Sequence, residues 1–209
     1  MFERFRAQYA PLRDPGTAGS AWDHASFAAV EGYGEFMAEF AGASFGDGLY
    51  RVHDAQTGPE ALALVAEAFP EFAERVCPFG YDWLGRQLAI DSGRIHAGQP
   101  LVLLLEPGTG EALEIPLPFS ALHEEELIEY ADAALAAAFF RAWSESDQSG
   151  PLRRDQCVGY QVPLFLGGQD EVENLEISDV DVYWSICGQL RRGVLKLPSG
   201  TSVNQIARD

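Results

Sequence analysis

Apolar positions recur along this chain with two periods, and the switches between them mark its elements. The segment "LVLLLEPGTGEALEIPL" is the clearest. An apolar run, a Pro-Gly-Thr-Gly turn and alternation through Ala112, Leu113 and Ile115 together predict a β-hairpin. "FGYDWLGRQLAID" predicts two short strands broken near Gly85, and "GDGLYRVH" predicts a turn entering a strand over Leu49–His53. Helical spacing appears at Phe36, Met37 and Phe40, with Gly42 as the stop. A second helix is expected to start at "TGPE", with Thr57 as N-cap, to carry Leu62, Val65, Ala66 and Phe69, and to end at Pro70. Ser120 and Asp132 are the expected N-caps of "ALHEEELIEY" and "AALAAAFFRAW". "CVGYQVPLFLGG" reads as an extended edge segment because Pro163 cannot donate to a ladder. The last helix, "SDVDVYWSICGQLRRG", gathers Val180, Tyr183, Cys187 and Leu190 on one face. Arg191 and Arg192 complement its C-terminus, and Gly193 is the expected stop.

Helices and hairpins are mixed without regular strand–helix alternation, so the predicted class is α+β. It is an antiparallel or mixed sheet with hairpins flanked by helices, a single globule whose two halves meet near the Leu101–Pro116 hairpin. The expected division is residues 1–105, residues 106–197 and a frayed tail over 198–209. A hydrophobic share of 47% over 209 residues supports a packed core and excludes an acidic disordered chain. "MFERFRAQY" lacks the apolar stretch of a signal peptide, and no apolar run reaches membrane-spanning length, so a cytoplasmic location is expected. Cys77, Cys157 and Cys187 are odd in number and far apart, which fits buried thiols in a reducing compartment.

Charge changes the picture. With 32 acidic against 14 basic side chains, the formal net charge is −18. Such a field repels nucleic acid and anionic membrane, and it speeds encounter with a basic protein. The stretch "GGQDEVENLEISDVDVYW" holds six of the carboxylates and no Lys or Arg. It fails as an EF-hand, because the required ligand positions fall on Val172 in one register and on Tyr183 and Trp184 in the other. Asp179 and Asp181 fall in a helix first turn, where the dipole favours them. Asp170, Glu171, Glu173 and Glu176 sit instead on a loop or edge segment, where binding residues are often presented. "GASFG" matches the G-x-S-x-G elbow around Ser44, but a helix pattern precedes it and a strand pattern follows, the reverse of that motif. His24, His53, His96 and His123 show no ligand spacing, and His123 with the three Glu after it reads as a solvated acidic face. No Walker loop is present, and no cofactor or metal site is expected.

"EGYGEFMAEFAGASFGDGLYRVH" and "FGYDWLGRQLAID" resemble the GAD-like domain. "VGYQVPLFLGGQDEVENLEISDVDVYWSICGQLR" resembles the C-terminal domain of type VI secretion immunity proteins, above all in "PLFLGG" and "DVYWSICGQL". The resemblance implies a fold broadly like the SMI1/KNR4 group. It further implies a non-catalytic cytoplasmic immunity protein that neutralises a cognate toxin, plausibly a DNase effector. A nuclease surface that holds phosphates is basic, so an acidic protein can occupy it. The expected partner-binding residues are Asp170, Glu171, Glu173 and Glu176 for charge, with Tyr160 and Trp184 as aromatic anchors. Asp47 and Glu124 to Glu126 are weaker candidates. A ligand- or peptide-binding regulatory module is the alternative, and a hydrolase using Ser44 stands behind it.

Overall fold

The computed structural model describes residues 1–11 and 19–196. The tail expected over 198–209 lies outside the described residues. Six strands form one antiparallel meander in chain order: β1 (Ser44–Phe45), β2 (Tyr50–Val52), β3 (Val76–Asp82), β4 (Gln87–His96), β5 (Gln99–Glu106) and β6 (Glu111–Pro118). A second antiparallel pair, β7 (Gln156–Tyr160) and β8 (Leu175–Asp179), stands apart from it. The helices are α1 (Glu3–Gln8), α2 (Tyr33–Phe40), α3 (Thr57–Ala68), α4 (Phe119–Ala121), α5 (Leu127–Glu129), α6 (Ala131–Leu135), α7 (Ala137–Ser144) and α8 (Val180–Leu195). This is the α+β class with hairpins and flanking helices. The expected division between residues 105 and 106 falls at the end of β5, and β6 completes the same sheet.

The large sheet is buried on both faces because its central strands are apolar at successive positions. On β5, Val102 and Leu104 join one core while Leu103 and Leu105 join the other. On β4, Leu88 and Ile90 likewise face away from Ala89. One core is aromatic, built from Phe2, Phe5, Phe36, Phe40, Phe45 and Phe79 with their neighbours. The other packs Val65 and Phe69, on and just after α3, against Trp184 of α8. The period-two alternation is therefore real, but both sets are apolar, so the strands read as continuous runs.

Several local expectations shift. Thr57 opens α3, but the cap is Asp54, whose Oδ1 accepts from the Gln56 and Thr57 amides at 3.0 and 2.9 Å. Ser120 makes no capping bond. The helix begins at Phe119, after Pro118, and a π-helical turn (Leu122–Glu126) follows α4. The run expected from Asp132 breaks at Ala136, which adopts a left-handed conformation (φ 50°) between α6 and α7. Gly193 does not stop α8, which runs to Leu195. Beyond Tyr160 the extended segment gives way to a 3-10 turn at Leu164–Leu166. His123 is a clear correction: it is wholly buried, not solvated. Its Nδ1–H donates to the Phe119 carbonyl at 2.8 Å, so Nε2 accepts the Tyr50 hydroxyl at 2.9 Å. The π turn puts the imidazole on the apolar side, and Glu125 stays exposed.

The turn between β3 and β4 is one of the links from the large sheet to the part of the chain after residue 130. Asp82 and Arg86 form a buried ion pair across it, Nε to Oδ2 at 2.6 Å. The other carboxylate oxygen accepts from the Leu84 and Arg86 amides, both at 3.0 Å. Held this way, the turn makes four hydrogen bonds to the C-terminal part. Arg86 Nη2 donates to the Ala134 carbonyl at 3.2 Å, and Trp83 Nε1 to Leu135 at 3.0 Å. The Trp83 carbonyl accepts from Val158 N–H at 2.7 Å, and the Gly85 carbonyl from Trp184 Nε1 at 2.7 Å.

Two predictions follow from these buried polar groups. Asp82→Asn leaves the Arg86 charge buried without its counter-ion, and urea unfolding near neutral pH is expected to show a loss of about 3–5 kcal/mol. The double variant D82N/R86M should recover stability relative to D82N. If D82N unfolds at the wild-type midpoint, the pair does not hold the turn. The second concerns acid. Burial lowers the His123 pKa from 6.5 to about 3, so below pH 6.5 the unfolded chain takes up a proton that the folded chain refuses. Its contribution therefore falls as pH falls. The stability difference between wild type and His123→Gln is expected to shrink by about 1.4 kcal/mol per pH unit below 6.5. Taking this difference removes the background from His53, lowered by burial to about 4, and from Asp82 and Glu106, whose burial-raised carboxyls act in the opposite sense. A difference that stays flat with pH would show that His123 titrates normally in the folded protein.

Candidate functional site

The acidic stretch lies on the connection from β7 to β8 and on into α8, and each part of it is tied to the body of the protein. Gly168 sits where any side chain would collide: a Cβ there would lie 1.8 Å from the Val162 carbonyl oxygen. Asn174 closes the loop from the other side. Its Nδ2 donates to the Val162 and Gln169 carbonyls at 2.9 Å each, and its Oδ1 accepts from Val162 N–H at 3.0 Å. The Leu164 amide donates to Gly108 in the β5–β6 turn at 2.8 Å. The string "PLFLGG" is thus a clamped turn, with its second glycine required by close backbone approach.

The helix string "DVYWSICGQL" serves docking. Tyr183, Trp184, Cys187 and Gly188 form the buried face of α8. At Gly188 the helix meets α3 so closely that a Cβ would stand 2.9 Å from the Cβ of Ala68. The Tyr183 hydroxyl accepts from Tyr160 N–H at 3.2 Å. Arg191 and Arg192 cap α3 more than their own helix. Arg191 donates to the carbonyls of Ala68 at 3.0 Å and Gly110 at 2.8 Å and lies over the Phe69 ring. Arg192 donates to the Glu67 carbonyl and pairs with its carboxylate at 3.0 Å. Burial alone would raise the Glu71 carboxyl, but the Arg191 hydrogen bond and charge hold it below its ordinary value.

The predicted partner-binding residues divide into two groups. Asp170, Glu171, Glu173 and Glu176 are all exposed. Among the described residues, no ion pair or hydrogen bond engages the carboxylates of Glu171, Glu173 and Glu176. Asp170 anchors the loop, accepting from the Tyr160 hydroxyl at 2.6 Å. The two aromatics are core residues. Trp184 is 1% exposed and Tyr160 6%, both spent on the seam between the sheets, which takes them off the surface. Apolar surface comes from other positions of the same region: Ile177, Val182 and Ile186 are exposed. Among the weaker candidates, Asp47 is exposed, while Glu124 accepts the Phe5 amide at 3.3 Å. Ser44 lies on β1, which leads through a 3-10 turn into antiparallel β2, and its hydroxyl faces Arg154 Nη1 at 3.4 Å. That is not a strand-to-helix elbow. The three cysteines are buried thiols, and burial raises each pKa.

Sequence reasoning missed a cleft of about 330 Å³ beside the docking turn. Leu84, Arg86, Glu106 and Thr109 line it from the large sheet. Asp132, Phe139, Tyr160, Leu164 and Asp170 line it from the C-terminal part. The only signal was one charge at the end of each apolar pattern, Arg86 in "DWLGRQL" and Glu106 in "LVLLLE".

Residues 118–191 match the family model described as T6SS immunity protein Tdi1, C-terminal. That segment begins at the end of β6 and contains the acidic loop and α8 as far as Arg191. No curated protein matches the chain. Among solved structures, the chain is similar to the crystal structure of Atu4351 from Agrobacterium tumefaciens. The two share 16% identity over 90% of this chain and 89% of that one, with a TM-score of 0.65. At that identity the likeness speaks to the fold. The family model speaks to one segment: residues 118–191 are similar to the C-terminal domain of a type VI secretion immunity protein, and that match supports the type VI secretion immunity family.

Proposed function

We propose that this chain binds and neutralises a cognate toxin, of the DNase type, through the acidic surface of its β7–β8 connection. The observation that carries the reading is the set of exposed, unpaired carboxylates inside the matched segment: Glu171 and Glu173 on a clamped loop and Glu176 on the adjoining strand β8. A nuclease surface must attract phosphates, so it is complementary to such a loop. The clamp matters as much as the charge, because a loop already ordered loses little conformational entropy on binding. Ile177, Val182 and Ile186 offer apolar contact beside the charges, the composition expected of an interface core within a polar rim. On this reading residues 106–197 carry the partner contact and residues 1–105 the scaffold. The family suggests a non-catalytic role, and the encounter takes place in the cytoplasm. No helix among the described residues is long and apolar enough to cross a membrane.

The test is a titration against a candidate cognate nuclease, the product of any toxin-like gene adjacent to this one, at about 50 mM and about 300 mM salt. Wild type should bind tightly at low salt, weaken at high salt and silence DNA cleavage. The triple reversal E171K/E173K/E176K should lose about a hundredfold or more in affinity at low salt and flatten the salt dependence. Unchanged affinity and an unchanged salt slope would move the interface elsewhere on the protein.

A further inference from the structure

We propose that the cleft beside the docking turn is a receptor for an alkyl cation, a guanidinium or ammonium group carried on an aliphatic stem. The carrying observation is Glu106. It is 8% exposed, it lines the cleft, and among the described residues no hydrogen bond or ion pair reaches its carboxylate. Its carboxylate opens into the cleft, opposed only by the charge of Arg86, which is itself paired with Asp82, and a largely buried carboxylate so placed marks a site where a cation would be bound. The neighbouring charges point the same way. Asp170 and Asp132, the latter paired with Arg141 at 3.3 Å, stand at the walls, and the guanidinium that lines the cleft, Arg86, is already committed to Asp82 and the Ala134 carbonyl. An anion therefore meets three carboxylates and no free counter-ion. A metal ion lacks a cage, since no group of three His, Cys, Asp or Glu side chains among the described residues is placed to hold one.

The remaining wall selects the stem. Leu84, Phe139 and Leu164, with Ala136 and Ala138, make one side of the cleft apolar, while the Tyr160 hydroxyl is turned to Asp170. An alkyl chain can lie on these side chains while its charged end reaches Glu106, the way lysine and arginine stems cover apolar surface elsewhere. Burial pushes the Glu106 carboxyl up, against the pull of Arg86 and with Asp82 and Asp170 adding to the rise. A cation at the cleft floor would relieve that cost. The volume of about 330 Å³ admits such a side chain or a small free amine. Two sources share this chemistry: a free alkylguanidine or polyamine, and a basic side chain presented by a partner protein. The inference rests on Glu106 and its surroundings; it shares Asp170 with the acidic loop but uses none of the three glutamates Glu171, Glu173 and Glu176.

Calorimetric titration of the full chain separates the outcomes. The probes are agmatine, N-acetyl-arginine methylamide and its neutral isostere N-acetyl-citrulline methylamide. The arginine probe should bind, with the citrulline probe about tenfold or more weaker, since only the charge differs. Glu106→Gln should weaken the arginine probe about thirtyfold or more, the scale expected for losing one partner of a buried charge pair. Asp170→Asn, which keeps an acceptor for Tyr160, should weaken it by a few-fold and serves if E106Q does not fold. Agmatine binding more tightly than the capped arginine would assign the cleft to a free metabolite; the reverse would assign it to a partner side chain. No binding of either cation, equal binding of the citrulline probe, or a folded E106Q of unchanged affinity would overturn the proposal. A cleft that binds the arginine probe, together with loop reversals that leave nuclease affinity intact, would sink the loop reading alone.

Discussion

The architecture depends on one ion pair hidden in a turn. Asp82 and Arg86 are taken out of water together, and such a pair is held only when its remaining lone pairs and N–H groups are satisfied. Here they are satisfied by the amides of the turn itself and by the Ala134 carbonyl. The result is a rigid bracket projecting from the large sheet, with Trp83, Gly85 and Arg86 all aimed at the C-terminal part. Without it, the small β7–β8 pair would have one buried backbone amide, Val158, facing no acceptor, and a two-stranded sheet alone is marginal.

From that bracket the acidic region is assembled in order. Val158 fixes β7, Tyr160 reaches from the end of β7 to Asp170, and Asn174 and Gly168 close the loop between them. Helix α8 then returns to α3 through Trp184 and Gly188, and Arg191 ties it to the β5–β6 turn. The three free glutamates are therefore carried on a frame braced at both ends. Repulsion among them is tolerated because the brace, not their own contacts, sets the loop conformation. Long-range charge and local rigidity thus come from different residues of one segment.

Much of this was legible in the chain, for reasons that can be named. The β5–β6 hairpin and the broken β3–β4 pair carry strong turn chemistry between apolar runs, and α8 carries a helical apolar face. The cap of α3 was misplaced because Asp54 reaches forward through an Asx-type turn, which spacing alone does not distinguish from a Thr57 cap. His123 was misread because a π turn rotates it away from the glutamates that follow it. Tyr160 and Trp184 looked like anchors because aromatics beside acids fit both an interface and a seam, and only tertiary packing decides between the two. The cleft was invisible for a deeper reason. Arg86, Glu106 and Asp170 are far apart in sequence, and nothing local says that the turn and the loop converge.

The bonds that seat the C-terminal part on the turn all have main-chain acceptors, the carbonyls of Trp83, Gly85, Ala134 and Leu135, with the Val158 amide and the side chains of Trp83, Arg86 and Trp184 as donors. Main-chain acceptors survive most changes of side chain. The exposed glutamates touch none of them. The loop's charges can therefore be exchanged one by one while the joint beneath keeps its shape. The protein separates what must be remembered from what must be free to drift.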